Sequence, residues 1–304
     1  MQQSNKKIFI LGSEGFIGNH CINYFLRKGY QVFGCDLLDI QNPAYTYFKI
    51  SRFDPEFYKY FDFIKFDVCI NAAGSGSVPL SFSHPYNDFE ANSIDIFKIL
   101  EAIKNYNPDC RYLNISSAAV YGAPQKLPID EQSKIAPLSP YGWHKYLSEL
   151  ICKEYHALYK IKTCSVRPFS VYGPGLKKQL FWDIYQKCRQ SQKVELFGTG
   201  DESRDFIYVD DLIAAFNLII EKDCFNGITI NIATGIETSI KHAAELLCGH
   251  IDPNIKISFN NQAREGDPLN WRADISTLSS LGFKSQTTIE TGLYNYNEWL
   301  KEKK

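Results

Sequence analysis

The chain has 304 residues, 44% of them hydrophobic and 22% charged, with a formal net charge of −1 at pH 7. That length can bury a large core, in one domain or in two closely joined ones. The near-neutral balance offers no electrostatic basis for binding nucleic acid or an anionic membrane, and no apolar run is long enough to span a bilayer. The nine cysteines are scattered, with no CxxC pair and no zinc-ligand spacing, so free thiols, no metal and a cytoplasmic location are expected. In keeping with this, Met1–Lys7 runs into a strand without a secretory h-region.

Lys7–Leu11 reads as a short buried strand that ends in Gly12-Ser13-Glu14-Gly15-Phe16-Ile17-Gly18. A helix is expected over 19–28 with Gly29 as its cap, and Gln31–Cys35 forms a second strand closed by Asp36. A strand, a glycine turn, a helix, a second strand and an acid together form the context that binds a dinucleotide. The glycines let the backbone approach a pyrophosphate at the helix N-terminus, where amides and dipole favour negative charge. Asp36 can accept hydrogen bonds from an adenosine ribose, whereas a 2′-phosphate would meet its carboxylate, which favours NAD over NADP. An unoccupied tight turn is the plainer alternative.

Thr46–Ile50 reads as a strand and 54–65 as mixed and aromatic-rich, although the 19 Tyr and 21 Phe are dispersed along the chain. Phe66–Asn71 is a buried strand followed by Ala72-Ala73-Gly74-Ser75-Gly76-Ser77, small residues that admit a ligand to the backbone or form a simple loop. Asn92 is expected to N-cap a helix whose apolar side includes Ile94, Phe97, Ile99, Leu100 and Ile103. Arg111–Ile115 is the next strand and leads into Ser116-Ser117-Ala118-Ala119-Val120-Tyr121-Gly122. After a proline-marked loop, a helix carrying Tyr141 and Lys145 runs to about Lys160, and Lys162–Arg167 is another strand.

Tyr141 and Lys145, four apart, share a helix face. The ammonium is expected to lower the phenol from its ordinary value of about 10, making Tyr141 a candidate general acid/base. The alternation predicts an α/β fold with a doubly wound parallel sheet and ligands at the strands' carboxyl ends, where Gly12, Asp36, Ala73, Ser117 and Arg167 all lie. Past residue 170 the elements shorten to 178–190, 193–197, 210–221, 228–232, 238–248, 255–259 and 287–301. A Rossmann domain over 1–170 and a smaller α/β lobe over 171–304, closing over the site with some interleaving, are therefore expected.

In these residues the chain resembles the extended short-chain dehydrogenase/reductase family, the NAD-dependent sugar-nucleotide epimerases and dehydratases. The resemblance is carried by Gly12-x-x-Gly15-x-x-Gly18, Asp36, Ala72-Ala73-Gly74, Pro85 with Asn92, Ser117-x-x-Val120-Tyr121-Gly122 and Tyr141-x-x-x-Lys145. It continues through Arg167-Pro168-Phe169-x-Val171-Tyr172-Gly173-Pro174-Gly175, Gly198-x-Gly200, Arg204-Asp205-Phe206-x-x-Val209-Asp210-Asp211 and Arg264-x-Gly266-Asp267.

The resemblance implies hydride exchange between a sugar carbon and nicotinamide. Tyr141 would move the hydroxyl proton and Ser117 would hydrogen-bond the same oxygen. Lys145 would bind the nicotinamide ribose. Gly12, Gly15, Phe16, Ile17, Gly18, Asp36, Ala72, Ala73, Asn92 and Phe169 would join Tyr141 and Lys145 around NAD. A nucleotide-diphosphate sugar would meet Ser75, Ser77, Ser117, Ser170, Arg204, Arg264 and Asp267, with the arginines on the diphosphate. A homodimer is implied as well. Ser170 stands where many relatives carry Asn, and Ser51 where an Asp often reads the adenine. His84 is expected in a loop, and His144 on the helix facing away from the site.

Dehydratases of the family follow the catalytic hydroxyl residue with Asp-Glu, and decarboxylases keep the Glu; here Ala118 and Ala119 occupy those positions and cannot transfer protons. The Cys/His pair of the 3,5-epimerase-reductases is not recognisable. A 4-epimerase remains, favoured by the lean of Asp36 toward NAD, together with a 4-keto-sugar-nucleotide reductase. Outside the class stands a non-catalytic nucleotide-binding protein, against which Ser117, Tyr141 and Lys145 are all present.

Overall fold

The apolar runs become the strands of one central sheet in the computed structural model, which describes residues 6–40, 42–51, 57–262 and 269–302. In chain order come β1 (Lys7–Leu11), α1 (Phe16–Arg27), β2 (Gln31–Asp36), β3 (Thr46–Lys49), α2 (Lys59–Ile64), β4 (Val68–Asn71), α3 (Val78–Ser83) and α4 (Pro85–Phe89). A π-helical turn (Glu90–Ile94) leads into α5 (Asp95–Tyr106), followed by β5 (Arg111–Ile115), α6 (Pro140–Tyr159), β6 (Thr163–Pro168) and β7 (Ser170–Tyr172). Then come α7 (Gln179–Cys188), β8 (Lys193–Leu196), β9 (Ser203–Arg204), β10 (Phe206–Tyr208), α8 (Val209–Glu221), β11 (Asn226–Ile232) and β12 (Thr238–Ser239). The chain continues with α9 (Ile240–Ile251), β13 (Lys256–Phe259), α10 (Ser276–Ser280) and α11 (Ile289–Lys301).

The seven-stranded sheet runs β11-β6-β5-β4-β1-β2-β3, and every pairing from β3 to β6 is parallel. The winding reverses at β1, which pairs β2 on one side and β4 on the other. Such a switch point opens a crevice at the strands' carboxyl ends. This is the doubly wound α/β sheet the alternation predicts.

Two compact units divide the chain. One comprises Met1–Val120, Pro137–Arg167 and Phe216–Ile230 and contains most of the sheet; the other comprises Tyr121–Ala136, Pro168–Ala215 and Asn231–Lys304. Within the second, β7 with β10 and β8 with β13 pair in parallel, and β9 with β12 antiparallel. Among the described residues no helix is long and apolar enough to cross a membrane.

Aromatic residues dispersed in sequence converge in the first unit. Phe9 on β1 lies against Phe66 at 4.4 Å, with Phe57 and Phe61 within about the same layer at 6.1 and 5.7 Å. Burying each such ring contributes about 2–3 kcal/mol.

Asn92 does not cap a helix. The chain is already helical from Pro85, so Asn92 lies inside the π-helical turn, and α4, the turn and α5 follow one another without a break. A cap residue would need extended backbone there, and the preceding helix denies it.

A buried ion pair fixes α6 on the sheet. Arg167 on β6 donates from Nε to Glu149 Oε1 at 2.9 Å and from Nη2 to Oε2 at 2.6 Å, and both residues are at most 2% exposed. Ser116 Oγ donates to the same carboxylate at 2.6 Å. Removing one partner of such a pair leaves a charge stranded in the interior. Glu149→Ala is therefore expected to lower the unfolding free energy by about 3–5 kcal/mol in urea denaturation, and a loss under about 1 kcal/mol would contradict this.

Candidate active site

The glycine turn starts where β1 ends. Gly12 adopts φ +72, and its N–H and that of Ser13 donate to the Cys35 carbonyl of β2 at 2.9 and 3.1 Å. A Cβ on Gly12 would lie 2.7 Å from the Ala73 backbone, so glycine is required by both conformation and space. A Cβ on Gly18 would strike the Gly12 carbonyl oxygen at 2.0 Å, which explains the spacing of the motif. Gly15 N-caps α1 without a side-chain cap, leaving the amides of the first turn, at Phe16 and Ile17, directed at the turn's mouth. Gly12, Gly15, Phe16, Ile17 and Gly18 thus form one cradle with Asp36, Ala72 and Ala73 at the same sheet edge.

Asp36 closes β2 and accepts from the Glu14 amide at 3.0 Å and the Leu37 amide at 2.7 Å. Ala72 donates its amide to the Leu11 carbonyl at 2.9 Å, and Ala73 donates to Asn71 Oδ1 at 3.2 Å. Beyond them, Ser75 is half-buried, and Ser77 N-caps α3 by accepting from the Leu80 amide at 3.4 Å. Asn92 is 1% exposed, and neither its amide nitrogen nor its amide oxygen has a hydrogen-bond partner in this structure. Buried polar atoms of this kind call for a polar group to satisfy them. Together the uncapped helix terminus, the cradle and the Asn92 amide fit a dinucleotide.

The candidate constellation of Ser117, Tyr141 and Lys145 is assembled by α6. Ser139 N-caps it by accepting the Gly142 amide at 3.2 Å, and Pro140 starts its first turn. A short 3-10 turn, Ala118–Tyr121, follows β5, and Ser117 Oγ accepts the Ala119 amide at 3.1 Å. Tyr141 and Ser117 are hydrogen-bonded to one another. Lys145 is buried, donates to the Ile115 carbonyl at 2.8 Å and lies 5.9 Å from the centre of the Tyr141 ring. The structure brings Ser117, Tyr141 and Lys145 together.

The phenol, however, is raised rather than lowered. Burial pushes Tyr141 up to about 12; the Ser117 hydrogen bond opposes this and the Asp88 carboxylate adds to it. Spacing alone suggests a lysine effect, but here the ammonium turns to a backbone carbonyl and desolvation prevails. His144 lies on α6 as expected, and its Nδ1 meets buried Asp88 Oδ2 at 2.6 Å, so the helix face it occupies is packed. His84 caps the end of α3 as a loop residue.

The remaining candidates belong to the second unit. Phe169 is buried, with its ring 5.7 Å from Trp271 and 6.3 Å from Tyr121. Ser170 donates its amide to the Asp205 carbonyl at 3.0 Å. Arg204 Nη1 donates to the Ser203 and Leu269 carbonyls at 2.8 and 3.2 Å, and its guanidinium lies 5.7 Å over the Trp271 ring. Arg264 and Asp267 lie outside the described residues. Among the described residues no group of three His, Cys, Asp or Glu is placed to hold a metal.

Sequence reasoning misses Asp205 as an organising residue of that unit. It is 0% exposed and accepts from Thr234 N and Oγ1 at 2.8 and 2.7 Å, from Gly235 N at 2.9 Å and from Ala273 N at 3.1 Å. Only its place beside Arg204 could have flagged it.

A family model for the NAD-dependent epimerase/dehydratase family matches residues 8–233. The chain belongs to that family. Among its relatives are a Methanocaldococcus jannaschii protein provisionally named UDP-glucose 4-epimerase, 30% identical over 308 residues (97% of this chain and 98% of the relative). Another is the UDP-glucuronate 4-epimerase of Thermodesulfobacterium geofontis, 28% identical over 313 residues (96% and 95%). Of solved structures, the UDP-N-acetylglucosamine 4-epimerase of Methanobrevibacter ruminantium M1, in complex with UDP-N-acetylmuramic acid, superposes with a TM-score of 0.90 at 26% identity, covering 99% of this chain and 100% of that one. A Bacillus cereus UDP-glucuronic acid 4-epimerase in complex with UDP-glucuronic acid and NAD gives 0.89 at 25%, covering 98% and 100%.

Burial pushes the Asp205 carboxyl up to about 6, against its four hydrogen bonds. The fold therefore favours the protonated form: the contribution to stability is complete below about pH 4 and is lost as the pH rises through 6. Relative to Asp205→Asn, the wild-type unfolding free energy should fall by about 2–3 kcal/mol between pH 4 and pH 7 in urea titrations, and a flat difference would contradict this.

Proposed function

We propose that this member of the family is an NAD-dependent 4-epimerase of UDP-hexoses. The observation that carries the reading is the convergence of Ser117, Tyr141 and Lys145 with a dinucleotide cradle on one parallel sheet edge. The 4-epimerases among its relatives support it, and one solved relative holds NAD beside a UDP-sugar.

NAD, bound at Gly12–Gly18, Asp36, Ala73 and Asn92, would supply reversible removal and return of a hydride at the sugar's C4. Tyr141 moves the proton of the C4 hydroxyl, accepting it as the ketone forms and returning it as the alcohol is restored. Ser117 donates a hydrogen bond to that oxygen, whose charge changes during the reaction. Lys145 anchors the nicotinamide ribose, and its positive charge favours the tyrosinate once its side chain leaves the Ile115 carbonyl. Ala118 and Ala119 bring no second acid or base at those positions, which disfavours elimination of water and decarboxylation.

Arg204, Arg264 and Asp267 are assigned to the nucleotide diphosphate, with Ser75, Ser77 and Ser170 near the substrate and Phe169 near the nicotinamide. We assign these roles by their position in the family's motifs. A homodimer through α5 and α6 is supported by the exposed Phe97, Leu150, Leu158 and Tyr159 on those helices. A reducing cytoplasm is supported by nine free cysteines.

Purified protein given UDP-glucose, UDP-N-acetylglucosamine or UDP-glucuronate, with no added cofactor, should form the C4 epimer of at least one. Tyr141→Phe should lower kcat by about 10²–10⁴-fold. Ser117→Ala should lower it by about 10²–10³-fold. Turnover that requires added NADH or NADPH and stops after one transfer would show a reductase instead.

A further inference from the structure

We propose that Glu14 is a second determinant of NAD over NADP, acting alongside Asp36 and held in place by Tyr45; this rests on the dinucleotide reading above. Tyr45 immediately precedes β3, the outermost strand, is 8% exposed, and reaches back across β2 to the turn that follows β1. Its hydroxyl donates to the Glu14 carboxylate and lies 2.9 Å from Ser13 Oγ. The crossing depends on Gly34 in β2, where a Cβ would stand 2.6 Å from both the Tyr45 ring and Ser13 Cβ.

Residue 14 is thus tied twice. Its side chain is bound to β3's entrance, and its amide donates to Asp36 Oδ2 at 3.0 Å. Both carboxylates act on the same neighbour. Burial pushes Tyr47 up to about 12, and the negative charges of Asp36 and Glu14 are the next causes. The cation opposite Asp36 in the strand register, Lys49, is engaged by Asp39 at 2.6 Å.

A ribose held by Asp36 therefore sits one hydrogen bond from residue 14. A 2′-phosphate on it would add about two negative charges beside two carboxylates. As a mere brace for Tyr45, a glutamine would serve equally, since its amide oxygen accepts the same hydrogen bond. What the glutamate adds is charge. That charge is carried by the residue whose amide Asp36 holds, and it selects against an anionic ligand there.

The test uses the full chain exchanged with equal NAD⁺ and NADP⁺, passed through gel filtration and extracted for quantification by mass spectrometry. The wild type should retain NAD⁺ almost alone. Glu14→Gln should raise the retained NADP⁺ to NAD⁺ ratio by about tenfold or more, and the Glu14→Gln/Asp36→Asn pair should raise it further. A Glu14→Gln ratio within about twofold of wild type, with Asp36→Asn shifting it, would overturn the inference while leaving the cofactor reading intact. Retention of neither dinucleotide by the wild type would overturn both. If Glu14→Gln does not fold, Glu14→Ser is read in the same way.

Discussion

A carboxylate and a guanidinium locked together in the dry interior decide where α6 stands. Glu149 follows Lys145 by one turn and Tyr141 by two, so its forked grip on Arg167 sets the rotation of the whole helix. An apolar contact would hold the helix against the sheet but let it slide or roll. The same carboxylate receives the Ser116 hydroxyl, one residue before Ser117, so helix and loop are referenced to a single point. The arrangement of Ser117, Tyr141 and Lys145 inherits its accuracy from that point. Its desolvation cost is large, which is why such a pair sits where orientation matters more than stability.

The electrostatics around Tyr141 follow from the same packing. A helix pressed onto the sheet removes water from the phenol, and Asp88 contributes a negative charge nearby. By itself the chain keeps this residue protonated at neutral pH, ready to give a hydrogen bond rather than to take a proton. Lys145 hydrogen-bonds to a carbonyl of β5 at 2.8 Å, so its charge is already partly committed. The ionisation of Tyr141 is therefore governed by its burial, with the Ser117 hydrogen bond opposing and the Asp88 charge adding to it.

Features that rest on neighbours in sequence were legible from the residues. The glycine turn, the Asp36 that closes β2, the parallel alternation and the four-residue spacing of Tyr141 and Lys145 are all local patterns. Features that depend on distant partners were not. Asp88 meets His144 across 56 positions, Tyr45 meets Glu14 across 31, and Asp205 gathers amides 29 to 68 residues away. Burial is likewise invisible in spacing, and so Tyr141 was expected to be lowered. The aromatic residues show the same limit: dispersed along the chain, they meet only once β1, β2, β3 and α2 are packed.

The π-helical turn at Glu90–Ile94 sets a phase as well as a bend. Each residue of a regular helix turns the chain by about 100°, and one extra residue in a turn offsets everything beyond it by that angle. Upstream of the offset the buried Asp88 meets His144; within it lies the Asn92 amide; downstream, Ile96, Ile99, Leu100 and Ile103 face the core. Regular α-helical winding would set Asp88, Asn92 and Ile96, four residues apart, within about 80° on one face, and the wide turn re-phases α5 relative to that stripe. A single-residue deletion in this stretch would thus change the register of α5 against the residues that precede the turn. Length, not only residue type, is under constraint in this segment of the fold.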